Sequence, residues 1–242
     1  MLIIGGESMN YLDSLAKLGV GGAHPGGLKL TKKILVNEAM DDITSLLDIG
    51  CGTGQTAAFI AEQYPCSVTA MDIDPIMVEK ARQRFNTCNV PITVFQDNVE
   101  HMCLKERFDI ILSESVLAFT DFSKSLPSIM KALHPGGRLL AIEIMIDASM
   151  SERDRNVISS FYGFRELLTE TEWREKLLQA GFTQIDLEQP VIDLLKVEVD
   201  EAQDFQFSAS QIDEAIEILH QHQELTEMYQ EDLRYGVFRC TQ

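Results

Sequence analysis

Apolar positions along the chain follow two alternating periods. Residues 45–49, 67–71, 92–95, 109–113 and 138–145 are apolar runs of strand length, while 55–63, 75–85 and 123–133 repeat their apolar positions at helical spacing. Near-continuous apolar runs are what parallel strands show when helices cover both faces of a sheet. The alternation predicts an α/β architecture with a doubly wound, seven-stranded, mostly parallel sheet. Two further helices, NYLDSLAKL (10–18) and LKLTKKILVNEAM (28–40), precede the first strand and are joined by GVGGAHPGG at 19–27. HPGGR at 134–138 places Pro and Gly at the centre of a type II turn between a helix and a strand. Thr169 and Glu172 form a capping-box pattern ahead of WREKLLQAGF, and Gly181 supplies its stop. TQIDLEQ reads as the sixth strand and GVFRC (236–240) as the seventh. Between them, the amphipathic run SQIDEAIEILHQHQELTEMYQEDL predicts one long helix.

The end of the first strand carries the chemistry. LLDIGCGTG (46–54) sets Ile43, Leu46, Leu47 and Ile49 around Asp48 and then places glycines at 50, 52 and 54. Glycines after a buried strand let the chain turn sharply and approach a ligand without a Cβ in the way. Asp72, 22 residues beyond Gly50, falls at the end of the second strand, where a carboxylate accepts from ribose hydroxyls. The sixth position from Gly50 is Gln55, so the pattern is GxGxG and not the dinucleotide GxGxxG; no GxxxxGK[ST] loop occurs either. A ribose acceptor without a phosphate cradle suits a nucleoside cofactor that lacks phosphate.

With these motifs the chain, from about residue 45 to 145, resembles the class I S-adenosylmethionine-dependent methyltransferases, especially the small-molecule branch with the ubiquinone and menaquinone C-methyltransferases. The resemblance implies that Asp48, Gly50, Cys51, Gly52 and Gly54 form the loop around the methionine part of the cofactor. In MDIDPIMVEKARQRF, Asp72 would hold the ribose and Ile73 would pack on the adenine. In VFQDNVEHM, Asp97 would accept from the adenine amino group, with Asn98 or Val99 along the ring. FDIILSESVLAF, with Ser113, resembles the fourth strand and the floor of the active site, and LHPGGRLLAIEIM the fifth. S-adenosylhomocysteine would be the product.

Methyl transfer from a sulfonium is an in-line displacement, so the protein mainly positions a nucleophile and excludes water. Three titratable residues are candidates for a catalytic role. His24, in the glycine-rich segment, can fold over a pocket and take a proton; a turn histidine that only orders the loop is the bland alternative. Glu114, just past the fourth strand, faces the expected methyl position. It accepts from the cofactor's amino group or the substrate, or is an acid at a helix N-terminus. Glu143 is an acid among apolar residues, which is costly unless it is paired or faces a ligand. Tyr11, Phe119, Phe161 and Tyr162 wall the pocket or belong to the ordinary core, and Tyr11, in the segment ahead of the core, is expected among the cofactor-binding residues. His220 and His222 diverge on a helix, which argues against a metal pair, and no metal site is expected.

A domain division at 1–42 (helical cap), 43–145 (cofactor core) and 146–242 (substrate-side helices and last strands) follows, with residues 10–28 expected as a lid. The 190–235 insertion covers the active site, builds a homodimer, or packs as a surface helix with Ile212, Ile216 and Leu219 inward. A net charge of −18 opposes nucleic-acid binding, which depends on Lys and Arg neutralising phosphates. The absence of a long apolar stretch opposes a membrane span, and the five cysteines lack CxxC spacing, as expected of reduced thiols in a cytoplasmic protein. Methylation of a macromolecule and a non-catalytic, cofactor-binding regulatory module are the competing readings.

Overall fold

A computed structural model describes residues 11, 24, 26–190 and 212–242, without the side chains of 212–216 and 219. Most of the expected lid lies outside these residues, as do 191–211 of the insertion and the inward stripe of Ile212, Ile216 and Leu219.

Seven strands form one sheet: β1 (Ser45–Ile49), β2 (Ser67–Asp72), β3 (Thr93–Gln96), β4 (Phe108–Glu114), β5 (Leu133–Ile146), β6 (Gln184–Glu188) and β7 (Leu233–Thr241). Their order is β3-β2-β1-β4-β5-β7-β6. β1 pairs in parallel with β2 and β4, β2 with β3, and β4 with β5. Only β7 runs antiparallel, wedged between β5 and β6. The chain winds outward from β1 in one direction and from β4 in the other, so the crevice above their carboxyl ends is where such sheets take ligands.

The helices explain themselves locally. α1 (Gly27–Leu35) starts at Gly26, whose φ of 79° only glycine adopts without strain, and buries Leu28, Leu30, Thr31, Ile34 and Leu35. It stops well before residue 40. Beyond it Glu38 accepts from Arg138 Nε at 2.7 Å and Arg239 Nε at 3.0 Å, tying the helix end to β5 and β7. α2 (Gln55–Gln63) follows the glycine loop, and α3 (Pro75–Phe85) starts with Asp74 accepting from Ile76 N at 2.7 Å and Pro75 in its first turn. α4 (Phe122–Ala132) is capped by Asp121. α5 (Glu152–Tyr162) was not signalled by the apolar pattern; Ser151 caps it and only Ile158 and Tyr162 are buried. α6 (Glu170–Ala180) carries the expected Thr169/Glu172 capping box and ends at Gly181. α7 (Ile212–Met228) is the long helix before β7.

Two expectations shift. Ile43 stays outside β1 and is 84% exposed, so Leu46, Leu47 and Ile49 alone form the apolar jacket of that strand. The HPGGR turn sits within β5 as a loop-out: β4–β5 pairing jumps from Phe108↔Leu133 to Ile110↔Arg138, with Gly136 at φ 79°. Trp173 packs on Phe122 and Phe238 and donates to Ile144 O at 3.0 Å, as expected of a core residue. All five cysteines are free thiols. Among the described residues, no helix is long and apolar enough to cross a membrane.

Candidate active site

The glycine loop turns directly off β1. Gly50, Gly52 and Gly54 all have positive φ, at 66°, 54° and 78°. Their surroundings differ sharply. A Cβ on Gly50 would stand 2.4 Å from Val116, and one on Gly54 would stand 2.6 Å from Phe85, whereas one on Gly52 would meet nothing within 4 Å. Gly50 and Gly54 are therefore required by packing, and Gly52 borders open space.

Asp72 closes the loop from the next strand. One of its oxygens accepts from Gly52 N at 2.8 Å and the other from Asp74 N at 2.9 Å. Burial, the largest effect, raises its carboxyl above the ordinary range against these donors. Ile73 follows, 62% exposed. Asp97 N donates to Asp72 O at 3.1 Å, and Asp97 Oδ1 accepts from Asn98 N at 2.8 Å. Val99 is 5% exposed and belongs to the core with Met71 and Met102. Cys51 packs beside the core on the other sheet face, its thiol pushed up first by burial and then by Asp48 and Asp72.

A second acidic centre faces the loop. Asp48 is 2% exposed, and its Oδ2 has no hydrogen-bond partner. Burial raises its carboxyl well above the usual value, with the Glu114 and Asp72 carboxylates adding to the rise. Glu114, the last residue of β4, accepts from Thr56 Oγ1 at 2.7 Å and from Thr31 Oγ1. His24 Nε2 lies 3.3 Å from Thr31 Oγ1 and 3.4 Å from Glu114 Oε1, while its buried Nδ1 has no partner. Because Thr31 gives its proton to Glu114, its oxygen is free to accept from His24 Nε2–H. The lone pair then sits on Nδ1. Thr31 and Thr56 had no motif to mark them; only their burial on α1 and α2 reveals them.

Glu143 and Ser113 pair with each other inside the fold. Both are fully buried. Glu143 accepts from Ser113 Oγ at 2.9 Å, from Val116 N at 3.2 Å, from Leu117 N at 3.0 Å and from Ala118 N at 3.4 Å. These four donors make Glu143 a paired acid, one of the two states that offset the cost of its burial. It holds the short 3₁₀ turn Leu117–Phe119 in place after Ser115, whose φ of 58° is unusual for a residue with a Cβ. Gly50 abuts the same turn through Val116, so Glu143 positions the floor between Glu114 and the glycine loop.

Burial lifts the Glu143 carboxyl to about 7 from an ordinary 4.5, outweighing its donors. The folded state thus keeps a proton that the unfolded chain has released. The stability this contributes is full below about 4.5 and lost as pH rises through about 7, a span of roughly 3 kcal/mol. Denaturant titrations of Glu143→Gln from about pH 4.5 to about pH 8 are expected to lack that fall. A variant with the parent's slope would contradict the assignment.

Comparison with known proteins decides the family. The chain is 37% identical over 232 residues to methyltransferase YodH of Bacillus subtilis (strain 168), covering 94% of this chain and 97% of that protein. It belongs to the class I S-adenosylmethionine-dependent methyltransferases. Residues 46–137, from β1 to the HPGGR turn, match the family described as a methyltransferase domain. Trans-aconitate 2-methyltransferase of Enterobacter sp. (strain 638) is 27% identical over 57% of this chain and 60% of its own. Among solved structures, phosphoethanolamine N-methyltransferase 2 of Haemonchus contortus in complex with S-adenosyl-L-methionine superposes with a TM-score of 0.74 at 19% identity, over 96% of this chain and 57% of that one. A sarcosine dimethylglycine methyltransferase structure from Galdieria sulphuraria gives 0.69 at 17% identity, over 88% and 84%. These two likenesses establish the fold.

The residues present fit the methyltransferase cofactor. Open space lies over Gly52, Asp72 ends β2, and the unpartnered oxygen of Asp48 lies among like charges that a cation would relieve. Asp72→Ala is expected to weaken S-adenosylhomocysteine binding by about 1.5–3 kcal/mol, read by calorimetry. Unchanged affinity in a folded variant would remove Asp72 from the ribose site.

Proposed function

We propose that this methyltransferase acts on a small-molecule acceptor whose proton is taken by His24, with Glu114 as the residue that orients the imidazole. The pairing of His24 with Thr31 and Glu114 while Nδ1 stays buried and unpartnered carries this reading. When bound, S-adenosylmethionine supplies a methyl group on a sulfonium leaving group. The chain's own residues then have narrow tasks. Glu114, fixed on both oxygens by Thr31 and Thr56, holds the His24 tautomer that leaves Nδ1 basic. Nδ1 removes the acceptor's proton as its nucleophilic atom is held in line. Asp72, Asp97, Asn98 and Ile73 bind the adenosine side, and Glu143 keeps the β4 turn in register.

Small-molecule chemistry is supported by the relatives' names, and the net charge of −18 disfavours polyanionic nucleic acid. Turnover of labelled S-adenosylmethionine against a panel of hydroxyl, amine, carbon and carboxylate acceptors, set beside S-adenosylhomocysteine binding, tests the proposal. Binding without any transfer would favour a regulatory module.

A further inference from the structure

The glycine loop is braced from a side that its motif does not mark. Gly50, Gly52 and Gly54 stand at positive φ, and glycine leaves the backbone more conformations than any other residue. The shape of the loop therefore depends on what pins it. On one side β2 does so: Cys51 N donates to Met71 O at 3.0 Å and Gly52 N to Asp72 Oδ2 at 2.8 Å. On the other side stands α3. Arg84 Nε donates to Thr53 O at 3.0 Å, and Ala81 and Phe85 occupy the space into which a Cβ on Gly54 would project.

This contact is built to last. Thr53 is 2% exposed, so water cannot readily replace a donor to its carbonyl. The donor is a half-buried guanidinium, which makes the bond charge-assisted and fixes its direction through a planar fork. The end of α3 that carries it is closed by Thr87 Oγ1 donating to Arg84 O at 2.7 Å. At the other end of the same helix, Asp74 N donates to Asp72 Oδ1 at 2.9 Å. One helix thus steadies both the loop after β1 and the acid that ends β2.

These two parts face different halves of the cofactor. Asp72 is the ribose acceptor. The loop springs from the strand end that carries Asp48, whose unpartnered oxygen suits a cation. In S-adenosylmethionine the sulfonium and the ammonium both belong to the methionine half. We propose that Arg84 is a positioning residue of the cofactor loop, holding Thr53 from α3 so that the loop is already shaped for the methionine half, while the adenosine half depends on Asp72. This rests on the cofactor assignment above. Arg84 acts through the loop, and without it the ligand itself must bear the cost of ordering five glycine-rich residues.

The test titrates S-adenosylhomocysteine and adenosine into the full chain and two variants by calorimetry. Arg84→Met removes the donor and keeps the stem; Arg84→Lys keeps a charged donor without the fork. In Arg84→Met, affinity for S-adenosylhomocysteine should fall about tenfold, the scale of one lost hydrogen bond to a charged group. Affinity for adenosine, which lacks the methionine half, should stay at the parent's value. Arg84→Lys should show the same split with a smaller loss, and it carries the test if Arg84→Met does not fold. In the ligand-free protein, amide exchange at Gly52 and Gly54 should quicken in the variants while β1 and β4 keep the parent's rates, as a loosened loop in an intact fold requires. Unchanged S-adenosylhomocysteine affinity in a folded Arg84→Met protein, or an equal loss for adenosine, would overturn the inference and leave the cofactor assignment standing. Failure of the parent protein to bind S-adenosylhomocysteine would overturn both.

Discussion

Gly52→Val is expected to abolish cofactor binding while leaving a folded protein. The position has room on the protein side, since a Cβ there meets nothing within 4 Å. Its φ of 54° is a region that β-branched residues avoid, so a stability cost of about 1–2 kcal/mol is expected. The larger effect is on the ligand. The new side chain fills the space above the loop and disturbs the Gly52 N–H that Asp72 accepts. Affinity for S-adenosylhomocysteine should fall at least about a hundredfold, equivalent to about 3 kcal/mol. Gly50→Ala and Gly54→Ala should behave differently, because their Cβ atoms would collide with Val116 and Phe85. They should lower the melting temperature more than Gly52→Val does. Calorimetry and thermal melts on the three variants separate the two kinds of glycine. Normal binding by Gly52→Val would mean that the loop is not the cofactor loop.

His24→Gln should lower kcat by about 10²–10⁴, the range for losing a positioned proton acceptor, with S-adenosylhomocysteine affinity unchanged. The amide keeps a group able to bond Thr31 but offers no basic nitrogen. Glu114→Gln should lower kcat less, because Thr56 and Thr31 can still hold the side chain while its charge no longer fixes the imidazole. Steady-state kinetics on a responsive acceptor reads both. A His24→Gln enzyme turning over at the full rate would end the proton-transfer role.

The sheet was legible because each parallel strand announces itself as an apolar run and each glycine or Asx cap marks an element's end. LLDIGCGTG and Asp72 mark the loop and its closing acid by residue type and spacing alone. The role of Glu143 was not legible in the same way. A lone acid in an apolar strand reads alike whether it faces a ligand or collects backbone donors, and only the turn at Ser115 tells the two apart. Thr31 and Thr56 were silent because a buried hydroxyl on a helix has no period of its own. His222 shows in the sequence only as one of two histidines that diverge on a helix. Its partners are Tyr162, which meets it where α5 packs on α7, and Tyr11, which reaches both from the N-terminal part of the chain.

Asp48, Asp72 and Glu114 converge on one small volume, and the first of them suffers directly from the other two. Such a concentration of negative potential favours a cation over its uncharged counterpart of nearly equal shape. Methyl transfer turns a sulfonium into a thioether and so removes one positive charge from the bound molecule. Because burial raises the Asp48 and Asp72 carboxyls, that preference should strengthen as pH rises and they ionise, so the affinity for S-adenosylmethionine relative to S-adenosylhomocysteine is expected to increase with pH in calorimetry on both ligands.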